Sequence, residues 1–159
     1  MYLAIHATTG TIIGQYVGNP IAAFLAGLVS HFLLDVIPHG DTCKGVDEVD
    51  EFLQNKKLVR RTKIIALADI IVTIIFSVIL FRYNLVVNEF SSFAGLCGAV
   101  IPDFLWPLYK PFGIQAFKKI YDLHFKIHWF LKKPALSPLV GLIFQFIIFS
   151  LLIAFIFSN

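Results

Sequence analysis

Ser30-His31-Phe32-Leu33-Leu34-Asp35-Val36-Ile37-Pro38-His39-Gly40-Asp41 is the stretch around which the chain is organised, because four ionisable side chains close an otherwise apolar run. In a helix that ends before Pro38, His31 and Asp35 stand at positions i and i+4 and share one face. Proline ends helices, so we expect His39 and Asp41 to fold back near that end. Imidazole and carboxylate groups are ligands of divalent metals such as zinc. The pattern predicts a metal site, although a capped helix end followed by a surface turn also explains this stretch taken alone.

The composition of the 159-residue chain is that of a membrane protein. Hydrophobic residues make up 58% of it and the mean hydropathy is +0.81, whereas soluble domains contain about 45–50% apolar residues. One small core cannot bury this much apolar surface, so lipid is the expected solvent for the remainder. We therefore expect one all-helical integral-membrane domain over residues 1–159, with the bilayer as its partner. A net charge of +3 without a basic face gives no reason to expect nucleic acid, and nothing in the sequence specifies an oligomer.

Apolar segments bounded by helix-breaking residues predict a polytopic bundle of about five transmembrane helices. These run from about Leu3 to Val17, Pro20 to Ile37, Lys63 to Phe81, Ser92 to Tyr109 and Ser137 to Phe157. The tight Gly18-Asn19-Pro20 break makes the first two segments a hairpin. Two further helices are expected at the membrane interface because they are charged or amphipathic, and they run from about Val46 to Arg60 and from Lys110 to Lys133. The first segment has no basic leader, so we interpret it as a retained helix and not as a signal peptide.

Basic residues set the predicted orientation. Each of the two long connecting segments carries six lysines and arginines, and Arg82 is the remaining one of the 13. Five spans place both segments on the same side of the membrane, and the positive-inside tendency makes that side cytoplasmic. The N-terminus is expected on the cytoplasmic side as well, and the C-terminus on the opposite side.

This orientation brings the remaining polar residues to one side of the membrane. All five histidines fall near the cytoplasmic ends of their segments, including His6 and the pair His124 and His128, which again stand four residues apart. Asp69 and Asp103 interrupt the third and fourth segments. A charged acid at the bilayer centre costs about 2.5–3.5 kcal/mol, so a bound cation or pairing with histidines would compensate. For either acid considered alone, protonation or one helix–helix hydrogen bond is the alternative.

The chain also contains an early His6, the phrase Gly27-Leu28-Val29-Ser30-His31-Phe32-Leu33-Leu34-Asp35, and Ile101-Pro102-Asp103 after glycines. These motifs resemble those of the small membrane-bound metal-dependent hydrolases of bacterial and archaeal inner membranes. That family is similar to zinc-dependent phospholipase C, an all-helical enzyme whose metals are held by His-x-x-x-Asp and His-x-x-x-acid pairs. His31 with Asp35 matches the His-x-x-x-Asp pair. His124 with His128 matches the spacing of the His-x-x-x-acid pair, with His in place of the acid. The resemblance implies an inner-membrane location and a phosphoester substrate such as a lipid headgroup, and it does not extend to the last helix.

The leading hypothesis is a metal-dependent hydrolase at the cytoplasmic face of the membrane. The predicted cofactor is a divalent metal such as zinc, and the predicted ligands are His6, His31, Asp35, His39, Asp41, His124 and His128. Asp69 or Asp103 would accept a proton from water or orient a ligand histidine. Two alternatives remain open: a non-catalytic metal-binding carrier or sensor, and a structural membrane anchor. The sequence has no Gly-x-Ser-x-Gly, Walker-type or dinucleotide-binding phrase, which disfavours those classes of enzyme.

Overall fold

The computed structural model describes residues 1–39, 54–105, 114–128 and 136–158, and all regular structure within them is helical. The six α-helices are α1 (Leu3–Val17), α2 (Pro20–Asp35), α3 (Lys56–Arg82), α4 (Glu89–Leu105), α5 (Lys118–His128) and α6 (Pro138–Ser158). A 3₁₀ turn, Gln115–Phe117, leads into α5. The described residues form no strand, and the predicted all-α class is confirmed.

The predicted break between the first two helices is present and has a local cause. Gly18 ends α1 in the left-handed conformation, with a φ of 68°, and its N–H donates to the carbonyl oxygen of Gly14. This conformation favours glycine because an added Cβ would be strained there. Asn19 then caps α2 by accepting a hydrogen bond from the Ala22 N–H at 3.0 Å, and Pro20 occupies the first turn. Three consecutive residues therefore end one helix, turn the chain and begin the next.

The inner part of the bundle consists of α1, α2 and α4, which approach one another through glycines. A Cβ added to Gly10 of α1 or to Gly27 of α2 would overlap with the carbonyl oxygen of Gly95 in α4. A Cβ on Gly98 would overlap in the same way with the carbonyl oxygen of Phe24 in α2. Small residues at these crossings let the helix backbones come into contact, as is typical of helices that associate within lipid.

The helices α3 and α6 flank α1 and leave most of their apolar side chains exposed. Their ends meet in a small apolar cluster, in which Leu80 of α3, Val86 of the following loop and Ile156 of α6 are almost fully buried. Elsewhere along α3, large side chains such as Ile64, Leu67, Ile74, Ile75 and Val78 are more than half exposed. Such an apolar outer surface is unfavourable in water and favourable in lipid.

Within the part of the chain that the structure describes, two helices, and not the predicted five, are long and apolar enough to cross a membrane by the criteria of length and composition. These are α3, with 27 residues, and residues Leu139–Ser158 of α6, with 20. The helices α1, α2 and α4 have 15, 16 and 17 residues, which corresponds to about 22–26 Å. The hydrocarbon core is about 30 Å thick. The expectation of about five full-length spans is therefore wrong for the described residues, although each of the five segments forms a helix within them.

Several predicted boundaries also shift. The helix expected from Val46 to Arg60 falls partly on residues 40–53, outside the described ones, and its basic second half forms the start of α3. The second segment ends as a helix at Asp35 and not at Ile37. The fourth helix begins at Glu89 and continues through Pro102. Of the segment predicted from Lys110 to Lys133, the described part contains α5, which is strongly amphipathic as expected.

Candidate metal centre

Four of the predicted site residues meet at one end of the bundle. His31 and Asp35 of α2, Asp103 of α4 and His124 of α5 each offer one ligand atom, and these atoms all lie within 4.8 Å of one another. Nε2 of His31 lies 3.1 Å from Oδ2 of Asp35 and 3.8 Å from Oδ1 of Asp103. Nε2 of His124 lies 3.9 Å from the same Oδ2 of Asp35. Three helices that are far apart in sequence thus aim their side chains at one point.

The local structure explains how these side chains reach that point. Because α2 ends at Asp35, the His31/Asp35 pair occupies its last turn, and the i, i+4 spacing puts both on one face. Asp103 lies in the last turn of α4, directly after Pro102. The glycine contacts between α2 and α4 bring these two helix ends close enough for His31 and Asp103 to meet.

His6 of α1 extends the cluster on the other side of Asp35. Its Nε2 lies 3.2 Å from Oδ1 of Asp35, whereas His31 faces Oδ2. The two imidazole rings stack, with centroids 4.1 Å apart and an interplanar angle of 27°. Asp35 therefore presents each of its oxygens to an imidazole from a different helix. It is the central anion of the cluster.

The hydrogen bonding of His31 leaves its second ring nitrogen facing the Asp35 carboxylate. Nδ1 of His31 lies 2.7 Å from the carbonyl oxygen of Ala99, which can only accept, so Nδ1 carries a proton and donates it. In neutral imidazole, Nε2 then carries a lone pair, and this lone pair faces the Asp35 carboxylate at 3.1 Å. Two acceptors at that distance repel each other unless a proton or a metal ion lies between them. A carbonyl that fixes the ring of a histidine in this way is the usual outer support of a metal ligand.

The cluster is buried, and part of it lacks hydrogen-bond partners. The side chains of His6, His31, Asp35 and His124 are at most 4% exposed. Both ring nitrogens of His6 and Nε2 of His31 make no hydrogen bond to any described residue. Buried polar atoms are almost always satisfied in proteins, so such a group calls for an explanation, and an ion is one. Asp103 is the most accessible member, with 25% of its side chain exposed, so the cluster opens to its surroundings at that side.

Asp69, predicted as a proton acceptor, occupies a structural position at the start of α1. Its carboxylate accepts hydrogen bonds from the backbone N–H groups of Leu3 at 2.6 Å and Ala4 at 3.2 Å. A helix begins with N–H groups that lack partners within the helix, and an acid from a neighbouring helix satisfies two of them here. Burial and the nearby Asp69 charge also raise the pKa of the Tyr2 phenol. The chemical role predicted for Asp69 stays a prediction.

The remaining predicted ligands stand in different positions. His39 is buried beside the cluster: its Nδ1 donates to the carbonyl oxygen of Ile37 at 2.6 Å, and its Nε2 lies 2.7 Å from the Met1 nitrogen. The Met1 nitrogen also donates to Oδ1 of Asp35 at 2.8 Å. Asp41 lies outside the described residues, and His128 is described only by its backbone, at the end of α5.

Gln145 is a site residue that sequence reasoning did not identify. The last helix reads as a plain apolar anchor, but Gln145 is 5% exposed and connects two segments. Its Oε1 accepts from the Tyr2 N–H at 2.7 Å, and its Nε2 donates to the carbonyl oxygen of His39 at 2.7 Å. These bonds tie the start of α1, which carries His6, to the segment after α2. The sequence signal for this role was a single amide side chain within a long apolar helix, where polar side chains are costly and are usually functional or paired.

The cluster thus has both the donor types and the spacing of a metal site, and it could hold a metal ion. Neutral imidazole and carboxylate are ligands that zinc and similar divalent ions accept. Comparisons with protein-family models, with curated proteins and with solved structures find no match to this chain. The function is therefore argued from the geometry of the cluster.

Proposed function

We propose that the protein is a membrane-embedded metal-dependent hydrolase that acts on phosphoesters such as phospholipid headgroups. The observation that carries the proposal is the convergence of His31, Asp35, Asp103 and His124, whose ligand atoms lie within 4.8 Å of one another. Hydrophobic side chains could have filled this space at lower cost than a set of buried imidazoles and a carboxylate. A cation gives those groups a common partner.

In this proposal, some residues of the cluster are metal ligands and one is the proton acceptor. His31, Asp35 and His124 are the buried members and would hold the ion, which leaves a coordination position open, as is typical of catalytic zinc sites. When bound, a zinc ion acts as a Lewis acid and lowers the pKa of its water to about 7. Asp103 is partly exposed at the open side, and its Oδ1 is placed to accept a proton there. His6 and the Ala99 carbonyl orient Asp35 and His31.

The membrane part of the proposal rests on the outer surface of the bundle. The helices α3 and α6 are long and apolar enough to span. Together with them, α1, α2 and α4 would form a five-helix bundle in which the three shorter helices are shielded on one side, and a shorter helix is accommodated by local thinning of the bilayer. The basic first turns of α3 would lie on the cytoplasmic side of the inner membrane. The cluster would then lie near that face, within reach of lipid headgroups.

The test combines metal analysis with turnover on the purified full chain. We expect about one equivalent or more of a divalent transition metal, hydrolysis of a phosphodiester such as bis(p-nitrophenyl) phosphate or phosphatidylglycerol, loss of activity on chelation, and recovery with zinc. Asp35→Asn keeps the size of the side chain but removes the central charge, and it should lower metal affinity by more than about 100-fold. Asp122→Asn on α5 is the matched control, because Asp122 is exposed and pairs with Lys118.

Two results would decide against the hydrolase. Bound metal that depends on Asp35, without turnover of any phosphodiester, would favour a carrier or sensor. Less than about a tenth of an equivalent of metal, before and after zinc is supplied, would leave the polar cluster as a helix-joining network and the protein as an anchor.

A further inference from the structure

The first turns of α3 carry a cationic groove that the metal centre does not use. Lys56, Arg60 and Lys63 line it together with the apolar side chains of Val59, Ile64 and Leu67, and its volume is about 440 Å³. The three cations stand at positions i, i+4 and i+7, so they share one face of the helix. Charged groups thus line one end of the groove, and apolar groups continue along the same face.

The length of α3 places this groove at the depth of the lipid headgroups. The helix has 27 residues, or about 40 Å, which exceeds the hydrocarbon thickness of about 30 Å. Its uncharged apolar part is bounded by Lys63 and Arg82, apart from Asp69, and residues 64–81 correspond to about 27 Å. With that part in the hydrocarbon core, residues 56–63 emerge into the headgroup layer.

The cations of these turns have no acidic partner among the described residues. Lys56, Lys57, Arg60, Arg61 and Lys63 are all exposed, and the ion pairs formed within the described part of the chain involve none of them. Ile64 and Leu67, just below, are each 59% exposed. An occupant that matches this surface must be anionic at one end and apolar at the other.

We infer that this groove binds an anionic phospholipid, with the phosphate at Arg60 and Lys63 and an acyl chain along Ile64 and Leu67. Clusters of basic residues next to a membrane-spanning helix attract anionic lipids, and each cation contributes about fivefold in affinity. Arginine suits the phosphate because its planar guanidinium can donate two parallel hydrogen bonds. The inference rests on the membrane embedding proposed above and not on the metal or on hydrolysis, so the two proposals fail separately.

The experiment measures which lipid stays bound to the purified full chain after exposure to equimolar phosphatidylglycerol and phosphatidylcholine, by native mass spectrometry. We expect phosphatidylglycerol to be retained at least about fivefold over phosphatidylcholine. The double variant Arg60→Gln/Lys63→Gln should reduce that preference by about fivefold or more, with unchanged helix content because both side chains are exposed. Lys119→Gln/Lys126→Gln is the control, since it removes the same charge from two exposed positions of α5.

Three outcomes would overturn the inference. Equal retention of the two lipids by the unmodified protein would show that the groove has no anionic preference. An equal loss in the Lys119→Gln/Lys126→Gln control would assign the preference to diffuse charge. Displacement of phosphatidylglycerol by millimolar inorganic phosphate would mean that the groove recognises a free anion and not a lipid.

Discussion

The two ends of the bundle are built from the same helices and have opposite chemistry. At one end, α1 contributes His6, whose Nε2 lies 3.2 Å from Asp35. At the same end, Asp69 of α3 and Gln145 of α6 accept hydrogen bonds from backbone N–H groups at the start of α1. At the other end, α3 and α6 contribute Leu80 and Ile156 to an apolar cluster. The first arrangement fixes polar groups at defined distances, and the second only fills space. We therefore expect the stability of the fold and the properties of the site to respond to different residues.

The largest effect on stability should come from the apolar end. Leu80 is 1% exposed and packs with Val86 and Ile156. Leu80→Ala leaves a cavity there and should lower the free energy of unfolding by about 2–5 kcal/mol, whereas metal affinity should stay within about twofold. Chemical denaturation in mild detergent, followed by circular dichroism, measures the first quantity, and metal titration measures the second.

Ile79 provides the control for this substitution. It is the neighbouring residue of α3 and is 39% exposed, so Ile79→Ala should cost clearly less than Leu80→Ala. A large loss of metal affinity in Leu80→Ala would show that the two ends are coupled, and the contrast between them would fail.

The next largest effect is expected on metal affinity, from a substitution of Gln145 at the polar end of the bundle. Gln145→Leu keeps the approximate size of the side chain but removes its hydrogen bonds to the Tyr2 N–H and the His39 carbonyl. Outer supports of metal sites contribute about 10–100-fold to metal affinity. We expect a loss in this range, with a change in the ligand-field spectrum of the cobalt-substituted protein, because the start of α1 and the segment after α2 are no longer held together.

Two further variants separate positioning from general stability. Gln145→Glu keeps an oxygen that can accept from the Tyr2 N–H, so it should recover part of the affinity. Ser150→Ala on the same helix removes an exposed hydroxyl that, among the described residues, bonds the carbonyl of Phe146 and nothing else, and it should leave both affinity and spectrum unchanged. If Gln145→Leu binds cobalt with the spectrum and affinity of the unmodified protein, the hydrogen bonds of Gln145 have no role in the site.

The sequence predicted those parts of this contrast that depend on local signals. The Gly18-Asn19-Pro20 break fixes the first hairpin, and the spacing of His31 and Asp35 puts both side chains on one face. The gathering of polar groups at one end followed from the order of the segments. Which partner each polar side chain meets did not follow, because α3 and α6 are apolar on nearly every side. No pattern in these two helices indicates which side of each faces the bundle. It is this orientation about the helix axis that directs Asp69 and Gln145 towards the start of α1.

The number of spans could not be predicted for a related reason. Hydropathy identifies where an apolar helix lies but does not separate a helix that crosses the bilayer from a shorter one inside a bundle. Glycine contacts at Gly10, Gly27 and Gly95 make α1, α2 and α4 an inner group, and helices covered by neighbours need not match the full hydrocarbon thickness.

The smallest effect is expected for Asp69→Asn, and its contrast with Asp103→Asn separates the two acids predicted to accept a proton. Asp69 accepts from two backbone N–H groups of α1, whereas Asp103 is partly exposed at the open side of the cluster. Asp69→Asn keeps an oxygen for these N–H groups, so it should cost about 1 kcal/mol or less in stability and change kcat by less than about threefold. Asp103→Asn should lower kcat by about 100-fold or more, since a general base contributes that much.

Both variants need metal analysis beside the kinetics, because Asp103 also lies within ligand distance of the ion. Loss of turnover in Asp103→Asn with metal still bound supports a proton-accepting role, and loss of both assigns Asp103 to metal binding. The reverse result, with Asp69→Asn inactive but folded and metal-loaded, would mean that the carboxylate at the start of α1 takes part in the chemistry. The carboxylate that caps α1 would then belong to the site together with Asp103, and the described part of the polar end of the bundle would contain no acid with a purely structural role.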